Sequence, residues 1–445
     1  MSRREITAVL FAASLAAAGA AMPAFAQSVL PLRGTLDQQA EDGADIPAPA
    51  PVTAKLAETT LEIEPLEPAP APQRKRVETD PYAPLGIGNA GLRLYPSITA
   101  GTAYSSNVNN SHDDPKGDAG LLLKPALRLE SDWPRHALTA GLDGDLTYYR
   151  YQDQFDTKTL DVFQRLRLDA RRHTTAEIDT RYTIDQPVDE DANEHTLAGS
   201  VGVTQDFGPI IARLKGGAKA KIFEDTDLAG GGTRDNGDRD YIEPSVSVRA
   251  SYALSSMLRP YIEATYAPRF HPTTPDRNGL DRDSEGYGLT AGVEAAAGPI
   301  WTGELGLTYL HRYYEDQNLG AVDALGFSGS LTWSPTELTR IVMATGTAID
   351  EASSATTAAT PTWNASIAVT HAVRENVDIA ASGSIEIEDV GSSFDKTYDA
   401  SLGVSWKFNP VLAWTAGYDL TWLDAGRPDD SYVEHRIWTG LTVSR

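Results

Sequence analysis

The sequence has no cysteine in 445 residues. Disulfide frameworks, thiolate nucleophiles and thiolate-bound metals are therefore excluded. Basic residues are few, 38 against 62 acidic, and a formal net charge of −24 argues against a nucleic-acid partner, because phosphate binding relies on a Lys/Arg surplus. Beyond the extreme N-terminus no apolar run approaches the ~18 residues of a membrane-crossing helix, and the mean hydropathy is −0.32. A helical membrane bundle is ruled out. Catalytic signatures are missing too: there is no Gly-x-Ser-x-Gly elbow, no His-Glu-x-x-His pair and no phosphate-binding Gly-Lys loop. Ser393-Phe394-Asp395-Lys396 matches Ser-x-x-Lys but opens a strand-like segment and lacks companion motifs, so it reads as chance. The chain is not expected to be an enzyme, and no cofactor or resident metal is expected.

What is present begins with an export signal. Arg3 and Arg4 precede an Ala- and Leu-rich stretch from Ile6 to Met22, and Ala24-Phe25-Ala26 supplies the small-x-small pattern before Gln27. Residues 1–26 therefore read as a cleaved secretory signal. Residues 27–91 hold 10 of the 27 prolines, as in Ile46-Pro47-Ala48-Pro49-Ala50-Pro51. Such a composition buries too little apolar surface to offset ordering entropy, so a disordered tether is expected. Its Arg74-Lys75-Arg76 cluster could touch lipid headgroups or cell-wall polymer.

From Leu92 to the end the pattern has period two. Leu412, Trp414, Ala416, Tyr418, Leu420 and Trp422 alternate with Ala413, Thr415, Gly417, Asp419 and Thr421. Successive strand side chains point to opposite sides, so one face is greasy and the other hydrophilic. Eighteen such segments can be counted: 92–106, 119–131, 137–151, 157–171, 174–186, 194–206, 210–224, 240–253, 257–270, 284–297, 300–315, 321–334, 338–350, 360–371, 376–389, 395–407, 411–424 and 431–444. They exceed the ~5–6 residues of a globular strand and match the ~10 or more of a tilted strand crossing a bilayer.

Short, often proline-bearing turns such as Phe207-Gly208-Pro209 and Asn409-Pro410 alternate with longer connections such as Asn107 to Asp118, Asp225 to Arg239, His271 to Asp283 and Glu351 to Ala359. Short turns on one rim and long loops on the other mark a transmembrane β-barrel. The expected fold is an all-β antiparallel transmembrane barrel over residues 92–445, with 18 strands, or 16 as the alternative. Trp133, Trp301, Trp333 and Trp406 beside the turns, and Tyr104, Tyr314 and Trp422 toward the loops, are expected to form interfacial girdles. An even strand count puts both barrel ends on the turn side, with the tether in the periplasm.

Pro84-Leu85-Gly86-Ile87, Leu94-Tyr95-Pro96-Ser97, Tyr104-Ser105-Ser106-Asn107-Val108 and the run from Glu130 through Asp132-Trp133-Pro134-Arg135 to Leu138 resemble the β-barrel porin family of Gram-negative outer membranes. The resemblance is strongest over about residues 81–151. It implies an outer-membrane barrel with porin-like transport, surrounded by lipid and lipopolysaccharide and inserted by the barrel assembly machinery. One departure is the end of the chain, Leu441-Thr442-Val443-Ser444-Arg445, where many such barrels carry an aromatic residue. Trp438 is the nearest aromatic.

The polar face of each strand is expected to line the lumen. In the first half this selects Lys124, Arg128, Arg165, Arg167, Arg171, Arg213, Lys215, Lys219 and Lys221; in the second, Glu294, Glu304, Asp378, Glu386, Glu388, Asp399 and Asp419. A basic wall facing an acidic one would set a transverse field across a water-filled pore. The alternative is that the charges pair locally and stabilise the wall. Tyr148, Tyr149, Tyr151, Tyr313 and Tyr314 offer surfaces for stacking sugars or for the girdles. Function is thus expected to be passive passage of small hydrophilic solutes or saccharides. The rivals are a non-conducting structural or adhesive barrel and the outer pore of a polysaccharide exporter. The loops with Asp225, Asp227, Asp235, Asp238 and Asp240, and with Asp276, Asp281 and Asp283, resemble oxygen-rich cation sites without the spacing of a calcium-binding loop.

Overall fold

The computed structural model describes residues 81–89, 91–185, 193–227, 232–298, 300–351, 359–391 and 393–445. The expected signal, nearly all of the tether and loop residues 352–358 lie outside the described residues.

Eighteen long strands follow one another: β1 Leu92–Ser105, β2 Asp118–Ser131, β3 His136–Tyr149, β4 Thr157–Arg171, β5 Thr174–Asp185, β6 Glu194–Asp206, β7 Ile210–Phe223, β8 Tyr241–Tyr252 and β9 Leu258–Tyr266. The second half is β10 Ser284–Ala297, β11 Trp301–Tyr314, β12 Val322–Thr336, β13 Thr339–Glu351, β14 Ala359–Arg374, β15 Val377–Asp389, β16 Phe394–Lys407, β17 Leu412–Asp424 and β18 Tyr432–Ser444. Each pairs antiparallel with the next, and β18 returns to β1 from Ser97↔Ser444 to Ser105↔Arg436. The sheet is a closed ring of eighteen strands. Closure removes the unpaired edges that would otherwise invite aggregation.

The ring agrees closely with the expected segments. The largest difference is at 257–270, where β9 stops at Tyr266. Beyond it the chain keeps only the bridges Ile242↔Phe270 and Arg269↔Ser284. A second difference lies before the ring. Ile87–Asn89 pairs with Leu92–Leu94 about a turn at Gly91, which takes a positive φ of 83°. Ordered structure thus begins inside the segment expected to be disordered through residue 91.

Turns of two to five residues join the strands on one rim, and all the longer connections, including 106–117, 224–240 and 267–283, lie on the other. At the tight turn after β6, Gly208 supplies a φ of 92° that a side chain would disfavour. A two-stranded hairpin, Thr226–Asp227 with Thr233–Arg234, decorates the loop before β8.

Alternation sorts the side chains. On β8, Val246 and Val248 are exposed on the outside while Arg249 and Ser251 are buried inside. Outward aromatics gather near both rims: Trp301 and Trp333 lie 5.7 Å apart on the turn side, and Tyr266, Tyr287 and Tyr313 form a row on the loop side with Tyr398 and Trp422. Tyr314 corrects the expected girdle. Strand geometry sends adjacent Tyr313 and Tyr314 to opposite faces, and Tyr314 is buried inside with Leu319, Ala324, Ile349 and Ala359. Trp438 is buried inside as well.

Candidate functional site

The expected lining residues lie on the face opposite the exposed apolar one, and most are already partnered. Lys124 is 3.1 Å from Asp145 and sits over the Trp438 ring. Arg436 donates to the same Asp145 at 2.9 Å and to Thr147 Oγ1 at 2.7 Å, while Trp438 Nε1 donates to Asp419 at 3.1 Å. On β4 to β7, Arg165 pairs with Asp179, Arg167 with Asp169, Arg181 with Asp161 and Arg213 with Glu177, at 2.9–3.5 Å. Arg128 pairs with Glu130 at 2.6 Å, Lys221 with Glu194 at 2.6 Å, and Lys219 lies 3.9 Å from Glu243. Lys215 shares this face, and Arg171 closes the end of β4.

The acidic half is neutralised similarly. Glu294 and Glu304 both meet Arg249, at 3.3 and 2.6 Å, with Glu263 at 2.5 Å. The Arg249 guanidinium is stacked 4.0 Å over Tyr261. Asp378 pairs with Lys407 at 2.9 Å. Asp399 accepts from Thr421 at 2.9 Å and Ser384 at 3.3 Å, and Glu386 lies opposite Thr397 in register. The sequence reading missed Arg181, Arg249, Arg312 and Arg436. Alternation alone could have found Arg249, which follows the inward Ser245 and Ser247 at steps of two.

At the loop rim, Arg269 spans the interior. It donates to Glu243 on β8 at 2.8 Å, and to Glu351 at 2.7 Å and the Ile349 carbonyl at 3.3 Å on β13. Arg312 shares Glu243, and Arg282 joins Asp276 at 2.7 Å to Glu351 at 3.2 Å. The 267–283 loop is pinned across this mouth. Burial pushes the His271 ring below its usual pKa, with Arg269 adding to the effect and Glu351 and Asp283 opposing it.

The acidic loop residues serve loop structure. Asp238 binds the Arg277 guanidinium, Asp276 takes the amides of Asn278 and Leu280, and Asp240 accepts from the Phe223 amide. Burial tends to raise the Asp238 and Asp276 pKa values, but Arg277 and Arg282 with the backbone amides hold both below the usual range. Among the described residues no group of three or more His, Asp or Glu is arranged to hold a metal ion.

Residues 80–445 match the family described as "Putative beta-barrel porin 2". The chain belongs to that family. A comparison with curated proteins finds no match. Among solved structures, OccK8 (OprE) of Pseudomonas aeruginosa is 12% identical over 80% of this chain and 100% of its own, with a TM-score of 0.39. The outer membrane channel DcaP of Acinetobacter baumannii is 10% identical over 82% and 100%, at 0.38. The siderophore receptor PirA of Pseudomonas aeruginosa is 8% identical over 79% and 80%, at 0.36.

Proposed function

We propose that the protein is an outer-membrane channel passing small hydrophilic solutes or saccharides by diffusion. The observation that carries this reading is a closed ring of eighteen strands whose outer face is apolar and whose inner face is charged and hydroxylic. Water-filled channels begin at about 16 strands. The outward apolar face with its two aromatic rows suits a bilayer. Both ends of the ring lie on the short-turn rim, which this orientation puts in the periplasm with the N-terminal segment; export would use residues 1–26. Long loops carrying Asp235 and Asp281 then face outward among lipopolysaccharide headgroups, and insertion would use the barrel assembly machinery.

In this channel Arg128, Arg165, Arg167, Arg171 and Lys215 line one side, and Glu386 and Asp399 line another. Lys124, Arg213, Lys219, Lys221, Glu294, Glu304, Asp378 and Asp419 form the structural charge pairs of the wall. Selectivity by charge would then be modest, because paired charges cancel at short range.

Single-channel recording in planar bilayers tests the reading. Discrete conductance steps are expected from protein that shows the heat-modifiable mobility of a folded barrel. A folded barrel giving no steps defeats it. The Arg269 bridge across the mouth favours one rival, a barrel closed on its loop side, and that outcome would select it.

A further inference from the structure

The wall is not sealed evenly. Strands β12 and β13 pair from Gly329↔Thr345 to Trp333↔Ile341 and again at Thr336↔Thr339. Toward the loops β12 runs on to Val322 along β11, and β13 runs on to Glu351 along β14, with no rung joining these halves among the described residues. Side chains cap the opened edge: Thr347 Oγ1 donates to the Phe327 carbonyl and Trp363 Nε1 to the Leu325 carbonyl, each at 3.0 Å. The two halves overlap instead of lying edge to edge. A Cβ on Gly326 would stand 2.2 Å from Thr347 Oγ1 and 2.7 Å from the Trp363 ring, so a larger residue there must push one of these two side chains aside.

Apolar surface crosses the wall at the same place. Outside, Leu325 and Phe327 are 59% and 55% exposed. Inside, Ile349 packs with Tyr314, Leu319, Ala324 and Ala359, the larger of two buried apolar clusters among the described residues. Backbone groups facing lipid normally need a complete ladder, since each unsatisfied one costs several kcal/mol in hydrocarbon. Here side-chain hydrogen bonds do that duty, and they can be broken without unravelling a strand.

We propose that the loop-side half of the β12–β13 seam is a lateral portal, admitting the alkyl chain of an amphipathic molecule between the outer leaflet and the apolar cluster at Ile349 and Tyr314. The occupant is a hydrocarbon chain because apolar surface flanks the seam on both sides, Leu325 and Phe327 outside and the Ile349 cluster inside, and the two side-chain hydrogen bonds are what interrupts it. The proposal rests on the membrane placement given above but not on ion conduction.

The absence of native cysteine provides a clean test. Gly326→Cys with Thr347→Cys would place two Cβ atoms within reach of the ~3.5–4.5 Å that a disulfide spans, locking the seam. The probe is a dodecyl sulfonate carrying a diazirine on its chain, added to proteoliposomes, with labelled residues mapped by mass spectrometry. The wild type and the reduced variant should be labelled at Tyr314, Leu319 or Ile349. Oxidation should abolish that interior labelling and reductant should restore it. Labelling confined to outward residues such as Leu325 and Phe327, or interior labelling indifferent to a verified disulfide, overturns the portal. Trp363→Phe, which removes the bond to the Leu325 carbonyl, provides a second arm: interior labelling should rise, and no change overturns the proposal even if the double variant fails to fold. Conductance steps measured on the same preparations report on the channel separately.

Discussion

Arg249 is the clearest case of how single residues hold this barrel. Its guanidinium is 4% exposed and faces three carboxylates, Glu263, Glu294 and Glu304. Removing the cation would leave buried acids facing one another without a counter-charge, a loss of about 3–5 kcal/mol. Arg249→Met should therefore lower the temperature at which the heat-modifiable band unfolds, and Glu304→Gln in that background should recover part of the loss. An unchanged transition in the single variant would show that water reaches and screens the cluster. The rim residues make a prediction about pH. Asp238 and Asp276 have depressed pKa values, so their support is complete above the usual carboxylate value of about 4 and is lost as pH falls through the depressed ones. His271 is also depressed, chiefly by burial, so its neutral form supports the fold above about 6.5 and that support is lost on acidification. A spin label at Thr273→Cys should report loosening of the 267–283 loop in two stages, below about pH 6.5 and again below about pH 4. His271→Asn should erase the first stage and keep the second.

At the scale of elements, alternation made nearly every strand readable, because each has one hydrophilic face and one apolar face. Val246 and Val248 against Ser245, Ser247 and Arg249 need no structure to sort. What alternation does not encode is pairing. The half-ladder at β12–β13 depends on Gly326 leaving room for Thr347 and Trp363, contacts between residues 21 or more positions apart. Nor could residue type tell that Arg269, at the end of an expected strand and held to Ser284 by an isolated bridge, would join β8 to β13 through its side chain. Partners for Lys124 or Arg213 were hidden for the same reason: acids lay near them in sequence, but which strand neighbours they met was set by register. Register also governs the closing seam. Gly101 stands opposite Gly440, and a Cβ there would lie 2.0 Å from the Thr439 carbonyl oxygen. Backbone cannot swing aside as a side chain can, so Gly101→Val should cost at least the ~1–3 kcal/mol of ordinary overpacking. It should reduce the fraction of chain recovered as the compact, heat-modifiable form; full recovery would mean that the β1–β18 seam tolerates a register shift.

At the scale of the whole molecule, low mean hydropathy and strong acidity suit a soluble protein only if every face meets water. A ring with one apolar and one charged face gives the same average. The ring is complete without the N-terminal segment: β1 begins at Leu92, β18 ends at Ser444, and the Arg445 amide reaches back to the Pro96 carbonyl at 3.1 Å. All of the cross-strand energy of closure lies between residues 92 and 445. Deleting residues 27–80 while keeping residues 1–26 should therefore leave the heat-modifiable shift unchanged. Deleting Tyr432–Ser444 should abolish it, because β1 and β17 would each lose a partner and a seventeen-stranded sheet would retain two open edges. Conductance separates two roles for the N-terminal segment. A tether hanging from the turn-side rim leaves the unit conductance of the shortened chain at the full-length value, whereas a segment lying in the lumen raises it. Equal conductance in the two proteins, with equal folding, is the expected result.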